Sequence, residues 1–98
     1  MTESTDHADL LMARISSVLE KYPALTPIQA AILAACALGI ASDSRTFANR
    51  LGIEHALVLR EIDDLAEDKG LLTVEKQEPR TLRQWYRPSG SAEPPAHA

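Results

Sequence analysis

The sequence is short of the groups from which chemical sites are built. It holds one cysteine, Cys36, among 98 residues. One thiol can form neither an intrachain disulfide nor a cysteine-based metal framework. Cys36 lies in the apolar run Ile32-Leu33-Ala34-Ala35-Cys36-Ala37-Leu38, where it reads as an inert buried thiol. That run is too short to span a bilayer. The N-terminus, Met-Thr-Glu-Ser-Thr-Asp, lacks a basic stretch followed by an apolar one, so it does not read as a secretory signal and a cytoplasmic location is expected. No serine or cysteine has a base and an orienting acid placed by motif. Gly39 and Gly52 stand singly and make no phosphate loop. Asp64 and Asp68 share a helix face, as do Asp63 and Glu67, but no loop or further ligand accompanies these carboxylates, and they read as a solvated face rather than a metal site. These absences point away from catalysis, metals and cofactors.

The length suits one small domain with one core, and an apolar fraction of 45% is enough to build it. Residues 1–6 read as a flexible N-terminus, 7–87 as the domain and 88–98 as a disordered tail of Pro, Ser, Ala and Glu. Leu11, Ile15, Val18 and Tyr22 recur at the helical period and predict a helix over 7–22, capped by Asp6 or Asp9 and ended by Pro23. A second helix is predicted over 27–38. Thr26 stands at the cap, Pro27 in the first position and Gln29 at capping-box spacing, and Gly39 ends the run. Ser42 or Asp43 caps a short third helix over 44–51 that ends at Gly52. A fourth runs over 54–69 and ends at Gly70. Phe47, Leu51, Val58, Ile62 and Leu65 face one core. Leu71–Glu75 reads as a strand, Lys76–Pro79 as a turn and Arg80–Tyr86 as the returning strand, with Leu82, Gln84 and Tyr86 alternating along it. One of Trp85 and Tyr86 faces the core and the other faces outward.

Ala48, Gly52 and Val58 stand where a helix-turn-helix needs a small residue at the crossing, a glycine in the turn and a branched residue locking the second helix. Leu51 and Ile53 flank the turn as anchors. The strand-turn-strand after Gly70 adds a wing. The fold class is therefore mainly α with a small β-wing, a winged helix-turn-helix. The run from Leu25-Thr26-Pro27-Ile28-Gln29 through Phe47-Ala48-Asn49-Arg50-Leu51-Gly52-Ile53, Leu65 and Gly70-Leu71-Leu72 to the wing near Arg80 resembles the core of MarR-type transcriptional regulators. The resemblance covers roughly residues 25 to 87. It implies a dimer on double-stranded operator DNA, sometimes under a small ligand's control, with Glu54–Lys69 as the recognition helix and Lys76–Arg80 as the wing. That family also dimerises through a C-terminal helix, which the residues after Tyr86 do not supply, so the homodimer is expected through helix 7–22.

Charge divides the chain into opposing halves. The net charge is -4, which does not favour a polyanion, although its distribution decides. Between Glu54 and Asp68 stand six acids, Glu54, Glu61, Asp63, Asp64, Glu67 and Asp68, against one base, Arg60. From Lys69 to Arg87 bases outnumber acids: Lys69, Lys76, Arg80, Arg83 and Arg87 face Glu75 and Glu78. Two functions follow. In the first, a DNA-binding transcription regulator, Arg45, Arg60, Lys76, Arg80 and Arg83 contact phosphates and His55 reaches a base edge. In the second, a non-enzymatic interaction module, Leu57, Leu59, Glu61 and Asp64 form an acidic face with an apolar anchor for a basic protein, such as another DNA-binding protein.

Overall fold

The computed structural model describes residues 3–89, with side chains from residue 8 onward. Four helices and one two-stranded antiparallel sheet follow in chain order. Helix α1 spans Glu3–Lys21. It begins ahead of residue 7, so Asp6 and Asp9 fall inside the helix and neither caps it. The Tyr22 N–H still reaches the Val18 carbonyl at 2.8 Å before Pro23 interrupts the ladder. Leu11, Ile15, Val18 and Tyr22 are half-buried against the core, and α1 lies along α2.

Helix α2, Pro27–Ala37, is the centre of the domain. Its capping box is complete: Thr26 Oγ1 accepts the Gln29 N–H, and Gln29 Oε1 accepts the Thr26 N–H, both at 3.1 Å. Ala30 through Ala35 are all buried. A helix apolar on every side belongs inside, and its alanines let α1, α4 and the sheet approach closely. Cys36 is half-buried at the edge of this packing.

Helix α3, Ser44–Leu51, is capped by Asp43, whose carboxylate accepts the Thr46 N–H at 2.9 Å. Gly52 takes φ 65°, and the Ile53 N–H closes back on the Ala48 carbonyl at 2.9 Å. A side chain bearing Cβ would be strained in this left-handed turn. Helix α4 spans His55–Asp63 and then widens into a π-helical segment, Asp64–Asp68. A uniform α-helix to residue 69 is therefore corrected at its last turn. The Lys69 N–H bonds the Asp64 carbonyl at 3.1 Å, and the same pair is linked again through its side chains at 2.6 Å. The five-residue spacing of a π-turn brings both links into line.

Strands β1, Leu72–Gln77, and β2, Gln84–Pro88, form the wing. Val74 pairs with Tyr86 and Lys76 with Trp85, so Glu75 is an extra residue between them and forms a bulge. The returning strand starts at Gln84, not Arg80. Glu78–Arg83 form the turn instead, tied by Glu78 N–H to the Arg83 carbonyl at 2.9 Å and Leu82 N–H to the Glu78 carbonyl at 2.8 Å. Leu82, expected in the alternation of the returning strand, sits at φ 64° in this turn and is 49% exposed. Tyr86 faces the core and Trp85 is half-buried on the outer side. Two strands alone are marginal, but Asp43 bridges Trp85 and the Tyr86 N–H bonds the Ser42 carbonyl at 3.1 Å. The α2–α3 connection thus anchors the hairpin to the helices.

Phe47, Ile32, Val58, Ile62 and Leu65 are fully buried in one core, with Leu51 half-buried at its edge. Of the expected tail, Pro88 ends β2 and the Ser89 N–H bonds the Leu71 carbonyl at 3.0 Å; residues 90–98, like 1 and 2, lie outside the described residues. No helix among the described residues is long and apolar enough to cross a membrane.

Candidate nucleic-acid interface

The N-terminal ends of α3 and α4 meet beside the start of β2. Ser44, the first residue of α3, is wholly buried. Its Oγ accepts the Gln84 N–H at 2.9 Å and lies 2.7 Å from His55 Nε2. Because the serine oxygen already accepts from the strand, its own hydrogen is available to a neutral imidazole. The His55 pKa is held below the ordinary imidazole value by desolvation first, then by the charge of Arg45; Asp43 opposes the shift and Arg83 adds to it. His55 is thus a half-buried link between α3 and α4 in addition to standing at the first position of α4. Glu54 at the cap makes no side-chain capping bond, so the helix end keeps backbone donors turned outward.

Asp43 joins the same cluster from below. Arg83 Nε donates to its carboxylate at 2.9 Å. Burial pulls the Asp43 pKa up, but the Arg83 and Thr46 hydrogen bonds outweigh it and leave the group below its ordinary value. The Arg83 guanidinium also lies 4.7 Å from the centre of the Trp85 ring, with Lys76 Nζ at 5.0 Å. The bulge at Glu75 re-aims Lys76 so that it shares this ring.

The expected DNA contacts fall into two groups. Arg45 and Arg83 both come within electrostatic reach of His55. Lys76 and Arg80 are exposed on the wing, and Arg60 is exposed on α4. The wing carries less uncompensated charge than its count of bases suggests. Lys69 is paired with Asp64, Arg83 with Asp43 and Arg87 with Glu75. Among the described residues that leaves Lys76 and Arg80 without an acidic partner.

The expected acidic face divides as well. Glu61 accepts a hydrogen bond from Thr26 Oγ1 at 3.0 Å. Asp64 accepts from Gln29 Nε2 and from Lys69 Nζ, each at 2.6 Å. Lys69 and then Gln29 lower the Asp64 pKa, and Asp64 in turn raises that of Lys69. Both carboxylates are thus engaged by the start of α2, although the Asp64 side chain remains 43% exposed. Leu57 and Leu59 are half-buried. Sequence reasoning found the capping role of Gln29 but missed that its amide, fully buried, also holds α4. The only signal was a Gln at capping-box spacing, which says nothing of a partner more than thirty residues away.

No family model, curated protein or solved structure matches the chain. What stands without them is a mainly helical domain with a two-stranded wing, a winged-helix-like fold.

Proposed function

We propose that this chain is a DNA-binding transcription regulator of the winged helix-turn-helix type, similar to MarR-type regulators, acting by binding and not by catalysis. One observation carries the reading: beyond Glu54 at its cap, the part of α4 that would enter a groove holds no carboxylate. A recognition helix touches base edges with its N-terminal residues. Between His55 and Arg60 the helix holds no carboxylate, Glu61 and Asp64 are hydrogen-bonded to the start of α2, and Asp63, Glu67 and Asp68 lie at the far end. Arg45 lies beside the entering end, Arg60 stands in the last turn of α4, and Lys76 and Arg80 on the wing suit the neighbouring backbone. His55 stands at the first position for a base-edge contact. Leu10 and Met12 on α1, 55% and 61% exposed, support pairing of two copies through that helix on a two-fold site.

The alternative, a basic protein partner on α4, draws less support, because two of its four contact residues are engaged with α2 and the other two are half-buried. Selection from genomic fragments at about 0.1 M salt distinguishes the two. Enrichment of one duplex sequence, bound more tightly than about 1 μM, is expected. Failure to retain any duplex at low salt, with the fold intact, overturns the DNA reading.

A further inference from the structure

The joint between α3, α4 and the wing fixes more than packing. Ser44 is wholly buried, and its hydroxyl carries one hydrogen and two lone pairs. One lone pair takes the Gln84 N–H at 2.9 Å. Among the described residues, the side-chain acceptor within bonding distance of the hydroxyl is His55 Nε2, at 2.7 Å. If the ring carried its hydrogen on Nε2, the serine would accept twice and its own buried hydrogen would have no partner, which is costly. The bond therefore runs from Ser44 to His55. The nitrogen that holds the ring hydrogen is set by the bond the other one makes, so neutral His55 carries it on Nδ1.

Nδ1 is the open side of the ring. It makes no hydrogen bond among the described residues, and it is not among the buried atoms that lack a partner, so solvent reaches it. The ring is also uncharged. Desolvation first, then Arg45 on α3, oppose a proton on it; Arg83 beside β2 adds to them, and Asp43 does not outweigh the three, so His55 is neutral above pH 6.5.

We infer that Ser44 is a positioning residue for DNA reading: it locks His55 as an Nδ1–H donor at the first position of α4, and that donor reads the N7 of a purine in the major groove. The base reading rests on the function proposed above, whereas the locked tautomer does not. N-terminal residues of a recognition helix touch base edges. Guanine and adenine both offer N7 there as an acceptor, whereas cytosine offers an amino donor. The other tautomer would present a bare acceptor on Nδ1 and would favour that amino group. The choice of tautomer thus decides between purine and cytosine, and a buried serine on a different helix makes it. The same hydroxyl holds the Gln84 N–H, so the reading side chain and the root of the wing are set by one oxygen.

The first arm of the test uses the full chain without DNA. Ring-nitrogen chemical shifts, read at about pH 8 where a free histidine is neutral, report which nitrogen holds the hydrogen, with His55 assigned by the signals lost in His55→Asn. Hydrogen on Nδ1 is expected; hydrogen on Nε2 overturns the inference. In the second arm each purine of the duplex selected from genomic fragments is replaced in turn by its 7-deaza analogue, which lacks N7. Replacement at the position His55 reads should weaken binding about three- to tenfold, the worth of one hydrogen bond. That penalty should vanish in His55→Ala and shrink in Ser44→Ala. A purely structural Ser44 would weaken every duplex alike and leave the penalty unchanged, which would overturn its positioning role. A selected duplex with no N7 penalty anywhere overturns the base reading and leaves the regulator reading standing. Failure to select any duplex overturns the regulator reading, and the base reading with it.

Discussion

Asp43 serves three structural links with one residue. Its carboxylate caps α3, it pairs with Arg83, and its backbone bridges β2. Asp43→Ala should therefore cost about 1–3 kcal/mol, the range of a lost cap with a charged hydrogen bond. Asp43→Asn, which keeps an acceptor for the Thr46 N–H, should cost less; equal losses in urea unfolding would show that the charge, not the cap, dominates. The folded pKa lies below the unfolded one, so the unfolded chain binds more protons through the acidic range. The stabilisation from this group is full above the unfolded carboxylate value of 3.8 and is lost as pH falls through the lower folded value. Tyr86 is the reverse case. Its hydroxyl is buried without a partner, and burial, with Cys36 and Asp43 nearby, pushes its pKa far up. Removing an unsatisfied group leaves no partner orphaned, so Tyr86→Phe should be neutral or stabilise by up to about 1 kcal/mol. A clear loss of thermal stability would reveal a bond that this hydroxyl makes.

The elements were legible where local chemistry decides them. Thr26, Pro27 and Gln29 place the start of α2, and Gly52 places the end of α3, because capping bonds connect residues only a few apart. The wing was legible in kind but not in register. Pro79 and the Thr81–Glu78 bond hold Arg80–Arg83 in the turn, and nothing in a two-residue alternation reports a six-residue turn. The π-helical end of α4 was illegible for a different reason: Asp64 reaches Lys69 and Gln29 at once, and Gln29 belongs to another helix. For the same cause Glu61 and Asp64 read as free surface carboxylates when both are hydrogen-bonded to the start of α2, and His55 read as a surface group when it is tied to Ser44. Gln29 is where α2 and α4 are joined, since its amide accepts from Thr26 and Lys69 and donates to Asp64. Gln29→Ala removes half of the capping box and the buried cross-link together, with an expected cost of about 2–4 kcal/mol. Hydrogen exchange should locate the loss at the start of α2 and the last turn of α4; a loss confined to α2 would mean that the cross-link contributes little.

Across the whole molecule, the acidic total of -4 misstates the surface that would meet a polyanion, because acids concentrate at the end of α4 and after it while Arg45 on α3 and the bases of the wing lie elsewhere. Two predictions belong to this scale. The first concerns stability. His55 titrates below its ordinary value of 6.5 in the folded chain, so between the folded and unfolded values the unfolded state binds more protons. Stability is then full above the unfolded value and falls as pH drops through 6.5 toward the folded one. His55→Asn should flatten that part of the stability–pH curve. The second prediction concerns DNA. Each cation that neutralises a phosphate releases counterions and contributes about 0.9 to the slope of log affinity against log salt. Among the described residues Lys76 and Arg80 have no acidic partner, so both charges are available. Lys76→Ala with Arg80→Ala should lower the slope by about 1.8 and weaken specific and non-specific duplexes alike. Arg83 differs, since its charge is already opposed by Asp43 at 2.9 Å. Its replacement by Ala should act mainly on stability, through loss of the ion pair and of the stack on Trp85, and should change the slope by less than either wing cation. A salt slope lowered more by the Arg83 variant than by either wing variant would move the phosphate contacts from the tip of the wing to its root.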